Sequence, residues 1–299
     1  MGATLEIRDL TMRFGAVEAL RGVSIEAGAG ERIALIGHNG AGKTTLFRLL
    51  LGFLAPTSGA VAVCGERPGG RRARQAISYL PESVAFPKTL TGVETALLYA
   101  RLKRSTRRAA LDALDRVGLG PAAARRVGGY SKGMRQRLGL AIAALGAPRL
   151  ILLDEPTSGL DPQSRSEFYE YFKTLSAAGA TILFSSHTLN DINGAADRII
   201  ILKAGAVVGD GAEPALRAAA ALPIRLRLRT DESAASEIAA LRGGRVTGPG
   251  AVEMTFTADE KMQVLQQVME KRGLIRDIEV TEPALSDIYR ALCGEGAAP

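Results

Sequence analysis

Residues 31–52 read ERIALIGHNGAGKTTLFRLLLG, and no other stretch constrains the fold as tightly. ERIALIG is a short apolar strand, and the run after it has the period of a helix that Gly52 stops. Between them GHNGAGKT fits GxxxxGK[ST], in the strand–loop–helix context that pattern requires. Gly40 and Gly42 let the backbone turn several N–H groups inward. Those donors and the helix N-terminus hold the β-phosphate of a nucleotide. Gly37, His38, Asn39, Gly40, Ala41, Gly42, Lys43, Thr44 and Thr45 form the expected cradle. Lys43 reaches the β- and γ-phosphates as a point charge, and the Thr44 hydroxyl is the expected Mg²⁺ ligand. His38 has no chemical role of its own beyond its place in the loop. The competing reading, a glycine turn with a chance GKT, leaves the agreement of strand, loop and helix unexplained.

A second signal is LILLDEP, which puts Asp154 and Glu155 at the end of a buried strand. In a parallel sheet, ligands bind at that end. Asp154 is expected to hold Mg²⁺ through water, and Glu155 to orient and deprotonate the attacking water. The bland alternative is a surface acidic pair beside the turn that Pro156 imposes. His187 ends the next buried strand, ATILFSSH, within reach of a γ-phosphate and its water.

The bulk numbers bound the rest. The 299 residues, 46% hydrophobic, suffice for one large or two modest domains and exclude wholesale disorder. Cys64 and Cys293 are far apart, which suits a reducing compartment and excludes a zinc site or disulfide framework. MGATLEIRDL has no apolar signal core, and Glu6 departs from the myristoylation pattern. No apolar run approaches the roughly 20 residues of a membrane helix, so the chain reads as soluble or peripheral. A net charge of +7 leaves three partners open: nucleic acid, an anionic membrane face, or solvent around an arginine-rich surface. GGRRAR and RLKRSTRR carry no interleaved aromatics of the kind a single-strand binder stacks on bases.

Short alternating strands open the chain, helical patterns with basic faces fill residues 88–127, and DRIIILKAGAVVGDG reads as a hairpin. After about residue 212 the composition shifts to a strand–helix–strand–helix–strand pattern closed by EPALSDIYRALCG, a small α+β unit. The expected fold is α/β, with domains at 1–212 and 213–299 and a helical subdomain at about 86–145.

Taken together, the phosphate loop, YLPE, YSKGM (130–134), LILLDEP, SGLD and a lone histidine resemble the ATP-binding cassette (ABC) family in order and spacing, over residues 4 to about 210. The resemblance implies a RecA-like core with an antiparallel β-subdomain and a helical subdomain, acting as an ATPase that binds ATP and Mg²⁺ and drives a membrane-spanning permease. It implies that two copies pair head to tail. Ser131, Lys132 and Gly133, where the family usually has its LSGGQ signature, then meet the γ-phosphate on the other copy's Lys43. Lys132 and Met134 depart from the signature and put the strength of the closed dimer in doubt. Phe14 stands where an aromatic stacks on adenine. Glu82 stands where the family has the Gln that couples the Mg²⁺ site to the permease, so it enters both the catalytic and the metal set. Asp161 falls at the dimer seam.

GHNGAGKTT, YLPESVAFPKTLTGVETALLYARLK and the α+β tail look more closely like the ATPase of Nos-type transporters, which serve copper-site maturation in nitrous oxide reductase. That likeness implies a copper or sulfur cargo, a periplasmic auxiliary protein and a place on the cytoplasmic face of the inner membrane. The alternatives are another ABC-2-type exporter, or a non-transport cassette that remodels nucleic acid or ribosomes. The single cassette, its short insert and the absence of heptads weigh against the last and against a nucleic-acid partner. The tail reads equally as a regulatory or dimer-stabilising domain and as a passive cap.

Overall fold

The alternating pattern at the start produces β1 (Leu5–Phe14), whose Leu5, Ile7 and Leu10 point inward, and β2 (Val17–Ala27), which pairs with it antiparallel. In this computed structural model, residues 2–186, 192 and 194–294 are described. The chain divides into two units, Met1–Gly211 and Ala212–Pro299.

In the first unit, β3 (Arg32–Ile36) leads through the phosphate loop into α1 (Lys43–Leu50). β4 (Ser58–Val63) then completes a three-stranded sheet in the order β2-β1-β4. α2 (Arg71–Ala76), formed by the GGRRAR cluster, and β5 (Ile77–Leu80) follow. The helical insert is α3 (Gly92–Leu102), α4 (Arg107–Arg116) and α5 (Lys132–Ala144). Each starts on a side-chain cap, Thr91, Thr106 and Ser131 in turn, which satisfies a backbone N–H that the first turn leaves free. β6 (Leu150–Leu153), α6 (Pro162–Ala177), β7 (Thr181–Ser186), β8 (Arg198–Lys203) and β9 (Ala206–Gly211) finish the unit.

The main sheet has the order β5-β6-β7-β3-β8-β9, parallel except for the antiparallel β8–β9 hairpin at its edge. β6 and β7 are buried along their whole length; β6 is an unbroken apolar run, and β7 is apolar at its centre and ends in two buried serines. One core joins the two sheets through α1, with Leu5, Leu20, Leu35, Leu46 and Phe47 excluded from solvent. Each such side chain contributes about 1.5–3 kcal/mol of transfer free energy.

The second unit contains α7 (Glu213–Ala219), β10 (Ile224–Thr230), α8 (Ala235–Ala240), β11 (Arg245–Gly248), β12 (Ala251–Phe256), α9 (Lys261–Glu270), β13 (Ile275–Thr281) and α10 (Leu285–Leu292). Its antiparallel sheet runs β11-β12-β10-β13. The IRLRLRT alternation of β10 splits by face. Leu226 and Leu228 pack with Ile238, Val264 and Val268 of the helices, and Arg225, Arg227 and Arg229 face outward. Arg227 sits across from Glu253 and Glu279, 3.1 Å from the former's carboxylate. The sequence pattern had no signal for β11, because four residues ending at a Gly-Pro-Gly turn are too few to show a period.

Candidate nucleotide site

The phosphate loop starts where β3 ends. Gly40 and Gly42 have φ of 83° and 111°, the left-handed region that glycine alone enters without strain. At Gly42, the N-cap of α1, a Cβ would also stand 2.7 Å from the Ala19 carbonyl oxygen, so neither space nor backbone admits a side chain. His38 is exposed, and its ring Nδ1 lies 2.7 Å from the Asn39 carbonyl oxygen. That oxygen can only accept, so Nδ1 carries the proton.

Lys43 opens α1, yet its side chain is buried. The ammonium donates to the Gly37 carbonyl and, at 3.4 Å, to that of His38. It stands 3.8 Å from the Glu155 carboxylate. Burial pulls its pKa down, against the opposing pull of Glu155, Asp154 and Glu82. Thr44 is exposed and Thr45 half-buried on the same first turn.

Asp154 follows the last residue of β6 and is buried. Its Oδ1 accepts from the Ser185 hydroxyl at 2.7 Å and its Oδ2 from the Tyr79 hydroxyl at 3.4 Å. Ser185 also accepts the Glu155 backbone N–H at 2.8 Å, so one hydroxyl of β7 ties down both acidic residues. Glu155 has φ of 47°, rare for a non-glycine, and Pro156 after it disfavours a helical alternative. This backbone ends the strand abruptly, with the carboxylate beside Lys43. Tyr79 meets Phe47 of α1 edge to face at 6.4 Å. Its hydroxyl is pushed up to about 12, by burial first and the Asp154 charge second, so it remains a donor at neutral pH.

Ser185 and Tyr79 are the residues sequence reasoning missed. Two serines ending an otherwise apolar buried strand were the available signal for the first. Glu82 is exposed just past β5. Phe14, at the end of β1 opposite Val17, is 46% exposed, so its ring has a free face. His187 lies outside the described residues.

The remaining expected residues gather in a separate cleft of about 390 Å³, lined by Ser131, Gly133, Leu160 and Asp161 among others. Ser131 is the N-cap of α5, its Oγ accepting the Met134 N–H at 3.2 Å. Asp161 caps α6, accepting the Ser164 N–H at 2.9 Å and the Ser164 hydroxyl at 2.7 Å. Those two bonds hold its carboxyl below the usual range. A Cβ at Gly133 would stand 3.3 Å from Leu160, and one at Gly159 2.8 Å from the Lys132 ammonium. The exposed Lys132 side chain therefore lies along the SGLD turn.

Known proteins resemble this chain in sequence and fold. The ABC transporter family profile matches residues 20–158. The uncharacterised ABC transporter ATP-binding protein YxlF of Bacillus subtilis is 41% identical over 69% of this chain and 70% of its own length. The daunorubicin/doxorubicin resistance ATP-binding protein DrrA of Streptomyces peucetius is 30% identical over 98% of this chain and 93% of its own. The Nod factor export ATP-binding protein I of Burkholderia lata is 36% identical over 72% of each chain. A solved ATP-binding subunit of an ABC transporter superposes with a TM-score of 0.66 at 32% identity, over 72% of this chain and 92% of that one. Among the described residues no helix is long and apolar enough to cross a membrane. The Nos-type likeness and its copper-enzyme role gain no support from these relatives, two of which carry names of export or drug resistance. The chain belongs to the ATP-binding subunits of ABC transporters, ATPases that couple ATP hydrolysis to transport.

Proposed function

We propose that the chain is the ATPase of an ABC-2-type exporter, working as a pair of copies on the cytoplasmic face of a membrane beneath a separate permease. The observation that carries this reading is the DrrA match, which runs through both structural units rather than the cassette alone. Residues 213–299 then form an accessory domain that belongs to the exporter type. A small-molecule cargo follows from the export and resistance names of the relatives.

In this reading the phosphates of ATP lie on the N–H groups of residues 37–45, and the Phe14 ring covers adenine. Lys43 leaves the loop carbonyls for the β- and γ-phosphates. Thr44, Asp154 and Glu82 are the Mg²⁺ ligands, direct or through water. The donors fit: all are hard oxygens, and Asp154 is already oriented by two hydroxyls. Among the described residues no group of three or more His, Cys, Asp or Glu could hold a metal unaided. A cation that keeps waters and takes substrate phosphates as ligands suits such a site. Bound Mg²⁺ neutralises charge on the phosphate oxygens. Glu155 takes the proton of the attacking water, with His187 beside the γ-phosphate. Ser131 and Gly133 reach that phosphate from the second copy, with Asp161 at the seam.

Isolation of the tagged chain from its native membranes in mild detergent tests the assignment. A polytopic permease is the expected partner. A periplasmic Nos-type protein in the same complex would restore the copper reading, and ribosomes or DNA without a membrane protein would overturn transport.

A further inference from the structure

Lys103 is a half-buried lysine whose ammonium has no carboxylate partner among the described residues. It forms the C-cap of α3. Its Nζ donates to Ser78 Oγ of β5 at 2.5 Å, and to the carbonyls of Ile142 and Ala143 in the last turn of α5 at 2.9 and 3.3 Å. Three donors thus meet three acceptors. Two of those acceptors are at the negative end of a helix dipole, which favours a cation there. Gly146, with φ of 79°, closes over the side chain, and a Cβ at that position would stand 3.3 Å from Lys103 Cβ. The groove beside the ammonium is lined by Arg74 and Arg104 as its other charged groups.

One side chain therefore joins three elements. α5 has 13 residues and spans about 20 Å, with Ser131 capping its far end. β5 carries Tyr79, which holds Asp154. We infer that Lys103 is a positioning residue: its charged ammonium pins the C-terminal end of α5 to β5 and thereby sets where Ser131 is presented relative to the acidic strand end. This rests on the head-to-tail reading of Ser131.

A structural role and a positioning role separate through pH. Burial pushes the Lys103 ammonium down to about 8, against 10.5 for a free lysine. The folded chain holds fewer protons than the unfolded chain between those values. Folding stability from this group therefore rises with pH through that window. The pin behaves oppositely, losing its charge as pH rises past about 8.

The test compares wild type, Lys103→Met and Lys103→Arg in full-length protein. It reads ATP turnover from about pH 6.5 to about 9.5, across the titration of a perturbed lysine. Melting temperature and amide exchange along α5 are measured without nucleotide. Lys103→Met is expected to melt no lower than wild type, because an apolar side chain replaces a buried charge. Its α5 amides should exchange faster, and its turnover at neutral pH should fall about tenfold. Wild-type turnover should decline above about pH 8, and Lys103→Arg, which cannot lose its charge there, should lack that decline. Unchanged α5 exchange in Lys103→Met, or the same alkaline decline in Lys103→Arg as in wild type, overturns the pin. Faster exchange with undiminished turnover overturns the route through Ser131 while leaving the contact itself intact. The head-to-tail reading is judged separately by pairing Ser131 and Lys43 variants.

Discussion

The phosphate-loop cluster and the signature cleft, two halves of the proposed chemistry, are built on opposite principles. Lys43 and Asp154 are buried, and their polar atoms are bonded within the chain. Ser131 and Asp161 are exposed, and each uses its side-chain oxygen to start its own helix. The first cluster is complete as an anion cradle with its cation in place. The second is a pair of helix starts around an open cleft. The proposed second copy, supplying the phosphate, would account for both states.

The largest expected effect falls on the buried side. Glu155→Gln should retain ATP binding and lose turnover by about 100-fold or more, the usual contribution of a general base. Near-normal turnover would remove Glu155 from that role. The contrast between the halves is tested next by mixing Ser131→Arg with Lys43→Ala. Each variant alone should fail to pair on ATP, whereas mixed dimers hold one intact composite site and should recover pairing, seen by size-exclusion chromatography. No gain over either variant alone would break the comparison at its root. Ser185→Ala strips partners from both the Asp154 carboxylate and the Glu155 N–H. It should cost about 1–3 kcal/mol of stability in chemical denaturation, with turnover reduced as well. Tyr79→Phe removes a longer bond of 3.4 Å and should cost about 0.5–1 kcal/mol. With that hydroxyl at about 12, the difference from wild type should be constant between pH 6 and pH 9. A variant difference that changes across that range would mean Tyr79 titrates in the site.

Much of the first cluster was legible because its parts are neighbours in the chain. Gly37 to Thr44 is one turn of backbone, and its left-handed glycines are written into GHNGAGKT. Asp154 and Glu155 were legible because an apolar run that ends in two acids reads as a buried strand whose end meets solvent. The residues that hold them were not. Ser185 lies 31 positions from Asp154, and Tyr79 lies 75 positions away. Neither spacing leaves a period in the sequence. The Lys132 departure could be seen, but its destination along Gly159 could not.

The tail shows the same division. IRLRLRT announced a strand with one buried face, and the arginines that alternate with its apolar residues do face outward. Strand order β11-β12-β10-β13 appears only once the chain has closed. By itself, the sequence determined the phosphate cradle, the acidic strand end and the two-part layout, because local backbone preference and the period of burial act within a few residues. The tertiary structure alone decided which hydroxyls orient the carboxylates and that Lys103 bridges α3, α5 and β5, because such contacts exist only when distant strands and helices are brought within hydrogen-bonding distance.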